Sequence, residues 1–244
     1  MEQTKIFGIR AVIEAINSGV SVDKVFIQKG IKGPLMQELN QLIKDNNISI
    51  SLVPIEKLDR LSKNNNHQGA VAQIAAVPFF DFDEILNEES PMENRKFLLL
   101  DGVSDVRNFG AIIRTAECTG VRAIVIAKSG SAPLNAETIK TSAGAAFKVP
   151  ICKVDHIKDA VFMLQASEIT TVAATEKTDT TLYDVDFCQD IAIIMGSEHK
   201  GVNPSILKIV DYKAKLPMLG SISSLNVSVA CGAFLYEAIR QTTL

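Results

Sequence analysis

The sequence contains no hydrophobic run near the roughly eighteen residues that a membrane-spanning helix requires. Its start, MEQTKIFGIR, lacks the basic residues, apolar stretch and small-residue cleavage site of a secretory leader. A soluble cytoplasmic protein with no membrane partner is the expectation. Cysteine is sparse: Cys118, Cys152, Cys188 and Cys231 lie far apart with no CxxC pair. That spacing argues against a zinc site or a disulfide framework and leaves buried reduced thiols as the expectation. The three histidines, His67, His156 and His199, show no metal-ligand spacing, so no metal is expected. Two nucleotide signatures are also missing. No GxGxxG follows the first strand of the C-terminal region, and no P-loop glycine-lysine motif occurs anywhere. A dinucleotide-dependent oxidoreductase therefore fits the α/β pattern alone.

What is present is enough for a large core: 244 residues, 47% of them hydrophobic. The net charge of −3 argues against a generally basic nucleic-acid binder. The distribution softens that objection: residues 1–78 carry +2, residues 79–95 carry −5, and residues 96–244 balance to zero. The acidic stretch FFDFDEILNEESPMENR, with its Ser90-Pro91, reads as a linker over 79–95, interrupted by a short helix around Asp83–Asn87.

Before the linker, residues 1–78 read as a small α/β unit. Ile9, Val12, Ile13 and Ile16 have helical spacing, and Leu35, Leu39, Leu42 and Ile43 form the stripe of a second helix over 34–46. Strands are expected at 24–28, 48–53 and 69–77. After it, over 96–244, apolar runs at 97–100, 123–127, 171–174 and 191–195 alternate with helical stretches at 109–119, 135–146 and 157–167, and a long helix closes the chain at 225–240. Continuous apolar strands with helical crossovers imply a parallel sheet covered on both faces. Ligands in such sheets bind where loops leave the carboxyl ends of the strands.

Three loops there carry unusual residues. The first runs from Asp101 to Ala116. Asn108 is placed to cap a helix whose free N–H groups suit a phosphate, Gly110 allows close approach, and Arg114 could grip a phosphate with its fork. The plainer alternative has Asn108 only capping and Arg114 pairing with Glu117. The second, Met195 to Gly201, bounds the exposed acid Glu198 with glycines, as a ligand-cradling loop or an ordinary turn would. The third runs from Leu216 to Ser228. Capping by Ser223 or Ser224 would explain one serine and leave Asn226 and Ser228 unexplained.

Together NFGAIIRTA, GSEHKG and LPMLGSISSLNVSVA resemble, in order, the three motifs of the SpoU (TrmH) family of RNA ribose 2′-O-methyltransferases, over residues 96–244. IFGIRAVIEAI and NHQGAVAQI resemble the small RNA-binding domain, of ribosomal-protein L7Ae type, of the RlmB-like branch that modifies a guanosine of large-subunit (23S) ribosomal RNA. One departure is Asp105-Val106, where many relatives have Asp-Pro; at most a geometric effect is expected.

The resemblance implies a SPOUT domain with a deep trefoil knot, S-adenosyl-L-methionine as cofactor, RNA as partner and pairing into a homodimer. It implies Arg114 as the catalytic residue, with Asn108, Glu198, Ser224 and Asn226 at the remaining motif positions. Gly196, Leu216 and Leu225 fall where relatives contact the cofactor through backbone groups, with Met195, Met218 and Gly201 beside them. A guanidinium is normally permanently protonated, so phosphate anchor and electrostatic stabiliser is the preferred role, with that of a literal base as the alternative. The rivals are a transfer-RNA ribose methyltransferase and a non-catalytic RNA-binding or assembly factor on the same fold.

Overall fold

The structure, a computed structural model, describes residues 3–75, 77–89, 94–221 and 224–243. These divide into two compact units, one made of residues 1–78 and 134–148, the other of 79–133 and 149–244.

The first unit opens with β1 (Gln3–Phe7), α1 (Ile9–Asn17), β2 (Val22–Gln28), α2 (Pro34–Asp45), β3 (Ile50–Val53), α3 (Ile55–Ser62) and β4 (Ala70–Ala75). Its sheet has the order β1-β4-β2-β3, antiparallel except for the β2–β3 pair. α1 buries Ile9, Val12, Ile13 and Ile16 as their spacing predicts. In α2 the buried stripe is Met36, Leu39 and Ile43, and Leu35 lies on the surface. The sequence reading missed β1, whose pattern is short and mixed, and α3, which is only eight residues long. The turn before β4 is built from Asn66–Gly69. His67 Nδ1 accepts from Gly69 N at 2.9 Å, so Nε2 carries the proton toward Asp59 Oδ1 at 3.1 Å. Gly69 has φ +87°, and a Cβ there would strike the Ile31 side chain.

The second unit begins at residue 79, within the stretch read as a linker. Phe80 N donates to Ile151 O at 3.0 Å, and α4 (Phe82–Asn87), capped by Asp81, buries Phe82 and Leu86 in the core. Phe82 packs edge-on against Phe97, with centroids 6.2 Å apart. Residues 79–89 are thus part of a folded unit, because Phe82 and Leu86, one helical turn apart in the acidic stretch, find a core; Ser90-Pro91 lies outside the described residues.

There follow β5 (Lys96–Asp101), α5 (Val106–Cys118) and β6 (Val121–Ala127). The chain then contributes 134–148 to the first unit, with α6 (Ala136–Thr141) and a 3-10 turn, Ala145–Phe147. Ala136 packs on Phe7, Val53, Leu58 and Val71, and Lys148 pairs with Glu14 at 3.2 Å. It returns through β7 (Ile151–Val154), α7 (Ile157–Ala166), β8 (Thr170–Ala174), β9 (Ile191–Gly196), α8 (Pro204–Leu207), β10 (Tyr212–Ala214) and α9 (Val227–Thr243).

All six strands of this unit are parallel, in the order β10-β8-β9-β5-β6-β7. β5, β6 and β9 are buried almost throughout, as helices on both faces demand. β7 and β10 are edge strands of four and three residues, too short to stand out as apolar runs. Cys152 and Cys231 are buried, and desolvation pushes both thiols up to about 12. Cys118 and Cys188 are exposed, contrary to expectation: Cys118 ends α5 on its outer side and Cys188 sits in a surface loop. Among the described residues no helix is long and apolar enough to cross a membrane.

Candidate active site

Strand order reverses on either side of β5, with β6 and β7 to one side and β9, β8 and β10 to the other. A crevice at the carboxyl ends is expected at such a switch point. Asp101 and Gly196 end β5 and β9 in register. Burial raises the Asp101 carboxyl above its ordinary 3.8, while the N–H of Asn203, donated to Oδ2 at 2.7 Å, opposes that shift.

The first loop enters α5 through Asp105, whose Oδ1 accepts from Arg107 N at 2.9 Å and Asn108 N at 2.8 Å. Asp105 is therefore the N-cap, and Asn108, read from sequence as the cap, is the third helical residue. Its amide is free for other work. Val106 occupies the first helical position, where the N–H has no intrahelical partner, so a proline there would give up no helix hydrogen bond.

The second loop is a closed hairpin. Ser197 N donates to Gly201 O at 3.2 Å, Gly201 N donates to Ser197 O at 2.9 Å, and Gly201 turns the chain at φ +65°. A Cβ on Gly196 would overlap the backbone of Gly201 and Val202. The close approach that requires glycine at 196 is thus within the chain itself.

The third loop delivers α9. Asn226 caps it: Oδ1 accepts from Ser228 N at 2.9 Å and Ser228 Oγ at 2.6 Å. Neither serine reading is needed, and Ser223 lies outside the described residues. Asn226 Nδ2 donates to Asn108 Oδ1 at 3.0 Å, and Asn108 Nδ2 donates to Glu198 Oε1. One directional chain, Ser228 to Asn226 to Asn108 to Glu198, thus joins the three loops.

Beside this chain opens a cavity of about 480 Å³. Met195, Gly196, Glu198, Gly201, Leu216, Met218, Ser224 and Leu225, all singled out from the sequence, line it. Asn108 and Asn226 reach it through Glu198. Arg114 does not line it. It is exposed on α5 and takes no hydrogen-bond or ion-pair partner among the described residues, so the pairing with Glu117 is not seen. The sequence reading missed Thr175, Glu176 and Lys177, which follow β8, and Ala230 and Phe234 of α9. The loop after β8 leaves the same carboxyl edge as the others, which is the signal that could have found it. Among the described residues no group of three metal-ligating side chains stands close enough to hold an ion.

A parallel sheet with a ligand-sized cavity at the carboxyl ends of β8, β9 and β10, closed by α9, is the arrangement of an α/β protein that binds a small molecule. Residues 95–236 match the SpoU rRNA Methylase family, and residues 5–80 match the family described as RNA 2′-O ribose methyltransferase substrate binding. A Staphylococcus aureus protein assigned to the TrmH family of tRNA/rRNA methyltransferases is 37% identical over 99% of this chain and 97% of its own length. The SpoU methyltransferase AviRb from Streptomyces viridochromogenes, solved with AdoMet, matches with TM-score 0.82 and 26% identity over 98% of this chain and 90% of that one. The TrmH/SpoU tRNA modifying enzyme of A. aeolicus matches with TM-score 0.55 and 32% identity over 65% of this chain and 79% of that one. The chain belongs to the SpoU family of RNA 2′-O-ribose methyltransferases, enzymes that use S-adenosylmethionine.

The cavity fits that cofactor. Its volume lies within the range of small-molecule sites, about 300–1,000 Å³. Met195, Leu225 and Phe234 give it an apolar wall, and Glu176, Lys177, Glu198 and Lys215 add charges of both signs for a zwitterionic amino-acid tail.

Proposed function

We propose that the chain methylates the ribose 2′-hydroxyl of a guanosine in large-subunit (23S) ribosomal RNA. The observation that carries the site assignment is the donor chain from Ser228 to Glu198, which fixes the three motif loops at the mouth of one cavity. Ribosomal over transfer RNA is favoured by the first unit, since the tRNA-modifying neighbour aligns with only 65% of this chain.

S-adenosylmethionine, when bound, supplies a methyl group on a positively charged sulfur with a neutral leaving group. In this reading the backbone of Gly196, Leu216 and Leu225, with Met195, Met218 and Gly201 beside them, would hold it. Arg114, with no hydrogen-bond or ion-pair partner among the described residues, grips an RNA phosphate with its planar fork and offsets the charge developing on the ribose oxygen. Asn108, Ser224 and Asn226 keep Glu198 and the bound groups oriented. The trefoil knot belongs to the same reading, with the second and third loops, 195–201 and 216–228, as its knotted loops; a crystallographic chain trace tests it. So does a homodimer through α9, whose Val229 and Tyr236 are exposed seven residues apart on one face; a monomer of 26.5 kDa in sedimentation refutes the dimer.

The test is single-turnover methylation by Arg114→Ala and Arg114→Lys, with cofactor affinity measured in parallel and ribose methylation mapped in 23S and transfer RNA from cells lacking the protein. Both variants should lose most of the rate while binding cofactor normally. Retained rate in Arg114→Ala removes Arg114 from catalysis, and a methyl group missing from transfer RNA reassigns the substrate.

A further inference from the structure

In the first unit one aromatic ring holds two ammonium groups. Lys24 Nζ lies 5.5 Å from the centroid of Phe26, and Lys57 Nζ lies 5.8 Å from it. The ring is half-buried, packed against the Phe7, Val53, Leu58 and Val71 cluster. The other rings with a lysine above them among the described residues, Phe7, Phe79 and Phe162, hold one each. β2 supplies Lys24 and α3 supplies Lys57, so the fold brings the two cations together from separate elements.

Two like charges within about 11 Å of each other repel at low salt. Neither takes a carboxylate partner among the described residues. The acid two places beyond Lys57, Asp59, is engaged by His67 at 3.1 Å. The face of the ring offsets part of the repulsion and orders both long side chains, so little rotamer entropy remains to be lost on binding an anion. We propose that Lys24 and Lys57, held over Phe26, grip the RNA backbone through its phosphates. This inference rests on the reading that the chain acts on RNA, and gives its first unit a definite contact. Phosphate contacts fix register without reading sequence, as a substrate-positioning unit requires.

The alternative is that the lysine stems merely cover Phe26. Binding of transcribed large-subunit RNA to the full-length Lys24→Gln/Lys57→Gln protein, followed by anisotropy at 50 and 200 mM salt, separates the two. Losing two single-strand phosphate contacts should flatten the log–log salt dependence by about 1.4, so the affinity deficit shrinks about sevenfold between those salts. The Lys24→Arg/Lys57→Arg protein should keep the wild-type slope. Affinity for S-adenosylmethionine, measured by calorimetry, should be unchanged in both. A wild-type slope in the glutamine variant overturns the proposal, and so does a uniform loss of affinity with no change of slope. Failure of the underlying reading shows up separately, as absence of methyl transfer to RNA by the wild-type protein.

Discussion

Replacing Gly196 by alanine tests whether the Ser197–Gly201 hairpin beside the cavity is held by its own backbone. The added Cβ would overlap Gly201 and Val202, and backbone cannot swing aside as the end of a side chain can. The hairpin then has two courses. It can keep its shape and carry the overlap, at about 1–3 kcal/mol for an overpacked site. It can open and lose the two hydrogen bonds between Ser197 and Gly201, at about 0.5–1.5 kcal/mol each. Both courses cost about 1–3 kcal/mol, which for a chain of this size lowers Tm by about 2–12 °C. The hairpin lines the cavity, so S-adenosylmethionine affinity should fall at least about tenfold. Gly201 is the control. Nothing lies near its Cβ position, and only φ +65° restricts it, so Gly201→Asn, which tolerates that backbone, should stay near wild type. Thermal unfolding and calorimetry on both variants decide the matter. Wild-type Tm and affinity in Gly196→Ala would refute the reasoning.

Asn226→Asp keeps the acceptor that caps α9 but loses the Nδ2 donor to Asn108, so stability should hold while methylation falls; Asn226→Ala should in addition lose about 0.5–2 kcal/mol of stability. A wild-type rate in the aspartate variant means that the donor chain is not used. Partial burial works against ionisation of Asp211, but hydrogen bonds from Thr171 Oγ1 at 2.6 Å, Thr171 N at 2.8 Å and Gln165 Nε2 at 3.2 Å together hold its carboxyl below the ordinary 3.8. The resulting stability is present above pH 3.8 and is lost as pH falls through the lower folded value. Thr171→Val should therefore cost about 0.5–1.5 kcal/mol at pH 7 and less at pH 3; denaturant titrations showing an equal gap at both would contradict this. Deleting residues 1–78 strips the cover from Ile139, Thr138 and Ser142 of the 134–148 segment, so the remainder should melt earlier and less cooperatively; a truncated protein with wild-type Tm and cofactor affinity would show that segment to be self-sufficient.

The long parallel strands and the three chemical loops were legible because each is a local pattern. Buried strands must be continuously apolar, and glycine, asparagine and arginine are conspicuous where strand gives way to helix. It was the resemblance of these loops to the SpoU motifs that set Gly196, Glu198, Leu216 and Leu225 at one site, and all four line one cavity. What a residue does inside its loop was not legible. Asp105 displaced Asn108 as the cap of α5, and Asn226 displaced the serines at α9, because several neighbouring side chains can cap a helix and only the three-dimensional path chooses among them. The same holds for Gly196, whose neighbour at Gly201 is set by a hairpin, and for Thr175–Lys177, whose ordinary residues matter only because β8 ends beside β9. The acidic stretch looked like a linker because charge was counted along the chain, whereas Phe82 and Leu86 are selected by a core that includes Phe97, Ala160 and Val161. Local patterning by itself determined the elements and the chemistry available; contacts between residues distant in sequence decided the 134–148 exchange, the donor chain and the pair of lysines over Phe26, since their free energy exists only once the chain has folded.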